Sequence, residues 1–249
     1  PVETLASPPS DLTVVAAGPM LTAPGGYPTR GWGRDGYGLP RTGVAALREA
    51  VDALHEQGAR VIKVAMHGEP GLSRAELRAI AMRAHERGLK VVVHALGDAE
   101  ARLAAEAGAD VLAHTPLEPL QSSTVALWST RAVISTLAAF GGSAVALDNL
   151  RRLREAGATV LYGTDLGNPG VRVRGISADE IELLGRAGLD GAAVVESATA
   201  APAAVWGLSS LGAVAPGRAA SMLVLDDDPR LDPSTLARPR AVYIDGVPR

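Results

Sequence analysis

A recurring local unit constrains this chain more than any other feature. An amphipathic stretch ends in glycine, and a short run rich in Val, Ile and Leu follows after one or two residues. HEQGARVIKVA spans 55–65, HERGLKVVVHA 85–95, AEAGADVLAHT 105–115 and REAGATVLYGTD 154–165. Gly58, Gly88, Gly108 and Gly157 stand where a helix ends on a left-handed residue. Ser73 with Glu76, and Ser177 with Glu180, carry the S-x-x-E pattern of a capping box opening a helix. The apolar runs are continuous and not alternating, which is the signature of parallel strands buried on both faces.

The unit predicts a parallel α/β fold. Strands are expected near 12–17, 60–66, 90–95, 110–114, 131–137 and 159–164. Helices are expected near 43–57, 74–87, 98–107, 144–156, 177–187 and 190–200. From about residue 206 the pattern changes to strands with a turn near 233–237, so 206–249 reads as part of a small β-domain behind a barrel-like body over 1–205.

Composition narrows the function. The chain has 249 residues, 47% hydrophobic and 20% charged, with a net charge of −3. It shows no basic stripe for nucleic acid and no apolar run of about 18 residues to cross a membrane. With no leader visible, a cytoplasmic location is expected. The absence of cysteine excludes thiolate ligands and Cys nucleophiles. Of the 24 basic residues only Lys63 and Lys90 are lysine, leaving 22 arginines, so each lysine invites a question. There is no dinucleotide fingerprint and no P-loop.

In parallel barrels the active site lies at the C-terminal ends of the strands. Lys63, His94, His114 and Asp165 fall there. His94 and His114 each lie six residues after their helix-ending glycine, Lys63 five and Asp165 eight. Imidazole and carboxylate oxygen together suit a divalent ion such as Zn, Mn, Fe, Ni or Co. An ammonium buried in VIKVA is costly, and a neutral amine can form a carbamate. Three further residues are candidates for touching substrate: His67 just after its strand, Tyr27 in the glycine- and aromatic-rich loop 25–38, and Arg172 after the last strand. That loop is either a lid or a loosely ordered connection. His55 and His85 sit in last helical turns, where a cation favours the dipole, and need no functional role.

The ordered set IKV, VVVHA, LAHT and GTD resembles the amidohydrolase superfamily of metal-dependent hydrolases, in its imidazolonepropionase-like and Xaa-Pro-dipeptidase-like branch. AGPMLTAPGG (17–26) and GAVAPGRAASMLVLDDDP (212–229) are similar to it as well. The resemblance implies a (β/α)₈ TIM barrel with a β-sandwich domain. It implies that Lys63, when carboxylated, bridges two metals, that His94 and His114 bind the second, and that Asp165 binds the first and moves protons. It further implies one or two divalent ions, zinc foremost, and a small amide or dipeptide-like substrate.

One departure stands out. The superfamily's HxH pair at the end of strand one has no counterpart, since no two of the five histidines are two apart. LTVVAAG (12–18) then corresponds to the third strand, so strands 3–8 and only part of the β-domain are expected. The chain is a fragment, a shortened gene product, or a member that rebuilds its core as a homo-oligomer. Two functions stay open: a competent C–N hydrolase, or a non-catalytic relic holding at most one metal.

Overall fold

In the computed structural model, which describes residues 12–169, 171 and 175–249, the repeating unit is a helix followed by a parallel strand. The chain divides into two units, 1–127 and 128–249. In the first, the strands are β1 (Met20–Thr22), β2 (Gly38–Pro40), β3 (Val61–Ala65), β4 (Lys90–His94) and β5 (Val111–Leu112). They run in the order β2-β1-β3-β4-β5, and every pairing is parallel. Helices α1 (Val44–Glu56), α2 (Arg74–Glu86) and α3 (Asp98–Ala107) connect them, with α4 (Ser122–Trp128) at the unit's end.

Local chemistry explains these elements. α1 buries Leu47, Ala50, Val51 and Leu54, the spacing of one helical face. α2 opens with the expected capping box: the Ser73 hydroxyl accepts from Glu76 N at 3.3 Å, and the Glu76 carboxylate accepts from Ser73 N at 2.9 Å. Gly58, Gly88, Gly108 and Gly157 all have positive φ, as the sequence predicts. Ile62, Leu77, Ile80 and Leu112 are among the fully buried side chains. Each contributes about 1.5–3 kcal/mol by leaving water.

Two expectations for the first unit are corrected. The strand expected at 12–17 lies at Met20–Thr22, and a further strand stands at Gly38–Pro40, where the sequence predicts none. Gly18 turns left-handed (φ 68) and Pro19 has no N–H to give, so no ladder runs through them. Residue 16 still lies alongside the sheet, because Ala16 O accepts from Arg60 N at 2.8 Å. α4 likewise stands where the sequence predicts no helix.

The second unit holds the parallel pair β6 (Ala132–Ile134) and β7 (Thr159–Leu161). Its helices are α5 (Ala144–Glu155), α6 (Ala178–Arg186), α7 (Gly191–Ala198) and α8 (Ala200–Val205). The single helix expected over 190–200 breaks at Thr199, which has φ −134 and ψ −86. Pro202 lacks the N–H that an unbroken helix would give to the carbonyl of Ala198, so the helix restarts instead. The tail forms the expected small sheet, with β8 (Met222–Val224), β9 (Ala241–Ile244) and β10 (Val247–Pro248) antiparallel in the order β10-β9-β8. A 3₁₀ turn at Pro233–Ala237 matches the turn expected at 233–237.

Candidate metal centre

The first unit brings Lys63, His94 and His114 together. In the β3–β4 register Lys63 faces Val92 and Ala65 faces His94. Side chains two apart share a face, so Lys63 and His94 project from the same side of the sheet. His114 arrives differently. β5 ends at Leu112, and the chain bends at 113–114, so strand alternation does not set its direction. The bend brings its ring to 4.8 Å from that of His94, at 78°. The equal spacing from glycine placed both histidines at the strand ends, but the bend aims the second one.

Both imidazoles are deeply buried, at 5% exposure each. Burial pushes the His94 pKa down to about 3, with Lys63 and then His67 adding repulsion. His114 is pushed down to about 2 by burial, then by Lys63 and His94. At neutral pH both rings are therefore neutral and keep a lone pair. His94 Nε2 is buried with no hydrogen-bond partner among the described residues. A buried nitrogen left unpaired costs about 1–3 kcal/mol, and a metal ion would satisfy it. Among the described residues no three His, Cys, Asp or Glu side chains gather to hold an ion. Lys63, His67 and Tyr27 lie near the two imidazoles, and neutral imidazole nitrogens are donors that fit a divalent ion.

Aromatic groups surround His94. Tyr27 stacks on it at 4.7 Å and 22°. His67 meets it edge-on at 5.7 Å and meets Tyr27 at 6.0 Å. Trp32 Nε1–H donates to Tyr27 Oη at 3.2 Å. The loop that carries these rings is held by its own backbone: Gly26 N bonds Ala23 O, and Gly31 N and Gly33 N both bond Pro28 O. A Cβ on Gly33 would lie 2.5 Å from Pro28 Cγ, so the loop closes on itself only with glycine there. These bonds speak against a loosely ordered connection.

Sequence reasoning missed Glu100. Its carboxylate lies 3.5 Å from His67 Nδ1 and accepts from Gly68 N, Leu96 N and Gly97 N. It ties together the two loops that follow β3 and β4. The only sequence signal is its place three residues after Gly97, where an acid caps a helix. His85 is paired with Asp110 at 2.9 Å at a helix end, as a structural role requires.

Asp165 lies in the second unit, half-buried, with a left-handed backbone (φ 52). Asn168 Nδ2 donates to its carboxylate at 3.2 Å. Arg172 lies outside the described residues. Glu180 is a second acid that sequence reasoning read only as half of a capping box. Ser177 does cap α6, accepting from Glu180 N at 3.2 Å. The Glu180 carboxylate, however, accepts from the backbone N–H groups of Leu137 and Ala138 at 2.9 and 2.7 Å.

Comparison with known proteins agrees with this architecture. The fold resembles a Xaa-Pro dipeptidase with methionine bound in its active site, at TM-score 0.82 and 23% identity, covering 96% of this chain and 69% of that one. It resembles a prolidase complexed with N-methylphosphonate-L-proline (TM-score 0.77, 20% identity, 94% and 68% covered). Ochratoxinase from A. niger is also similar (TM-score 0.76, 21% identity, 95% and 66% covered). The chain thus spans about two thirds of each. No curated protein matches the sequence. The parallel strands and their helices are of the TIM-barrel type, and a small antiparallel sheet follows them. The model of the amidohydrolase family, a family of hydrolases, matches residues 9–248, and the chain belongs to that family.

Proposed function

We propose that the protein hydrolyses the amide bond of a small dipeptide-like substrate with the help of a divalent metal ion, zinc foremost. The observation that carries this reading is the buried Nε2 of His94, without a hydrogen-bond partner among the described residues, beside the neutral ring of His114. When bound, such an ion lowers the pKa of a water toward neutrality and polarises a carbonyl. Everything else falls to the chain's own groups. His94 and His114 offer imidazole lone pairs. Lys63, on the His94 face of the sheet, would supply oxygen once its ammonium has lost one proton to water and the neutral amine has added to CO₂ with release of a second, leaving a carbamate. That change turns the cation that repels both imidazoles into an anion. Asp165 takes the proton of the attacking water and passes it to the leaving nitrogen. Tyr27 and His67, whose rings pack against His94, form the wall that the substrate meets. The dipeptidase and prolidase likenesses support a dipeptide such as Met-Pro, and the ochratoxinase likeness keeps other amides open.

A second reading is a relic that holds at most one ion without turnover. It is favoured by the donor set, since among the described residues no three His, Cys, Asp or Glu side chains gather to hold an ion. One experiment separates the two: metal content after loading with ZnCl₂, and hydrolysis of Met-Pro, measured on the wild type and on Lys63→Ala. The hydrolase reading expects bound zinc and turnover in the wild type, and only trace zinc in Lys63→Ala. Bound zinc with no turnover on a panel of dipeptides and N-acyl amino acids favours the relic. Equal zinc in both proteins rules out Lys63 as a ligand.

A further inference from the structure

Among the described residues three that are not glycine have a left-handed backbone: Thr136 (φ 44), Asp165 (φ 52) and Asp245 (φ 49). Asp245 precedes Gly246 in the hairpin between β9 and β10, where such a backbone is ordinary. The other two follow the C-terminal ends of β6 and β7. For a β-branched residue such as Thr136 this conformation is an outlier, and it persists only when the surroundings impose it.

One buried side chain supplies that restraint. Glu180 is 0% exposed. Its two oxygens hold Leu137 N and Ala138 N, and the Ser135 hydroxyl donates to the same carboxylate. Thr136 is thus clamped from both sides. The Ser135 oxygen in turn accepts from Gly163 N at 3.3 Å. Gly163 is fitted to this contact, since a Cβ there would lie 2.3 Å from Ile134 Cγ2. Next to it, Tyr162 N bonds Ser197 O at 2.8 Å, and Tyr162 Oη accepts from Ser177 N at 2.6 Å. Residues 162 and 163 are pinned from several directions, and Asp165 follows two residues on. Burial pushes the Glu180 carboxyl up, while the donors from Ala138, Ser135 and Leu137 pull it down. A buried carboxylate is an expensive way to tie a helix to one loop if stability alone is at stake.

We propose that Glu180 and Ser135 are positioning residues for Asp165: the carboxylate sets the chain leaving β6, and the Ser135 hydroxyl passes that restraint to the backbone from which Asp165 projects. This rests on the reading of Asp165 as the proton-transfer group. The test is made on the zinc-loaded protein with Met-Pro as the probe. Ser135→Ala cuts the link to Gly163 while leaving the bonds of Glu180 to Leu137 and Ala138, so the fold survives even if Glu180→Gln does not fold. Two readouts are expected in Ser135→Ala. Amide exchange at Gly163, followed by NMR, speeds up by on the order of tenfold, with no change in β3 and β4. The kcat falls by roughly ten- to a hundredfold with KM held within about twofold, because only the placement of the reacting groups is disturbed. Zinc content stays unchanged.

Unchanged exchange at Gly163 overturns the link, and faster exchange with unchanged kcat overturns the positioning role. Asp165→Asn separates this inference from the reading beneath it. If Asp165→Asn loses turnover while Ser135→Ala keeps its kcat, the inference alone fails. If Asp165→Asn retains turnover, or the wild type has none, the proton-transfer reading fails and the positioning role falls with it.

Discussion

His94 and Asp165 stand at the ends of two strands, and the chain delivers them in opposite ways. His94 is the last residue of a five-residue strand paired along its length with β3. Its direction follows from period-two alternation, and its nearest framework is Val92, Val93 and Ala65. Asp165 stands four residues beyond Leu161, the end of a three-residue strand, on a left-handed backbone. No periodicity aims it. What holds its approach is a set of hydrogen bonds from residues far away in sequence. A regular ladder places the His94 ring by strand alternation alone. The approach to Asp165 runs instead beside a clamped segment, in which Glu180 and Ser135 hold the chain around the left-handed Thr136.

The largest effect that tests this contrast is at the strained end. Asp165→Asn keeps a residue type that tolerates the left-handed backbone, so Tm stays near the wild-type value while turnover falls by about 10²–10⁴-fold, the usual worth of a general base. A comparable loss of Tm would show that Asp165 serves the fold instead.

Next in size is the pH response of the regular end. The folded pKa values of His94 and His114, about 3 and about 2, lie below the unfolded value of 6.5. The unfolded chain therefore takes up protons first as the pH falls. In the metal-free protein the stability is full above 6.5 and declines as the pH drops from 6.5 toward 3. Urea unfolding at stepped pH reads this directly, and a flat profile over that window would mean that the imidazoles are not buried as described.

A smaller effect distinguishes a site from a core. His94→Leu removes a buried nitrogen without a partner, so the metal-free protein should gain about 1 kcal/mol while zinc binding is lost. A variant destabilised without metal would mean that the contacts of the His94 ring with Tyr27 and His114 outweigh the cost of its unpaired nitrogen.

The smallest effect lies outside both strand ends. Hydrogen bonds from Ser73, Gly43 and Thr42 hold the Glu76 carboxyl down at about 2, against an ordinary 4.5. Its contribution is present above 4.5 and fades as the pH falls toward 2. Solvent screens this partly exposed group, so Glu76→Gln should cost well under about 1 kcal/mol at neutral pH. A larger loss would make this helix cap a main support of the regular half.

Much of the regular half was legible beforehand. The glycine-ended helices, the continuous apolar runs and the Ser73–Glu76 box act within a few residues, and all are found where the sequence put them. The 12–17 strand was misplaced because Val14 and Val15 look like a strand while Gly18 and Pro19 deny it a ladder. Ser177 and Glu180 carry the same S-x-x-E pattern as Ser73 and Glu76, yet the second carboxylate turns away to loop amides 42 and 43 residues distant in sequence. Nothing local distinguishes the two boxes; only what packs above the helix does.

The sequence by itself determined the parallel α/β plan and set Lys63 and His94 on neighbouring strands, with Lys63 in the middle of its strand and His94 at the end; it also carries no cysteine. These depend on helix and strand periodicity and on residue type, which neighbours along the chain decide. The tertiary structure alone decided that His114 bends toward His94, that Nε2 of His94 has no hydrogen-bond partner among the described residues, and that Glu180 clamps the chain beside Thr136. Each of these depends on which distant groups meet in a dry interior, where a polar atom must find a partner or remain unpaired.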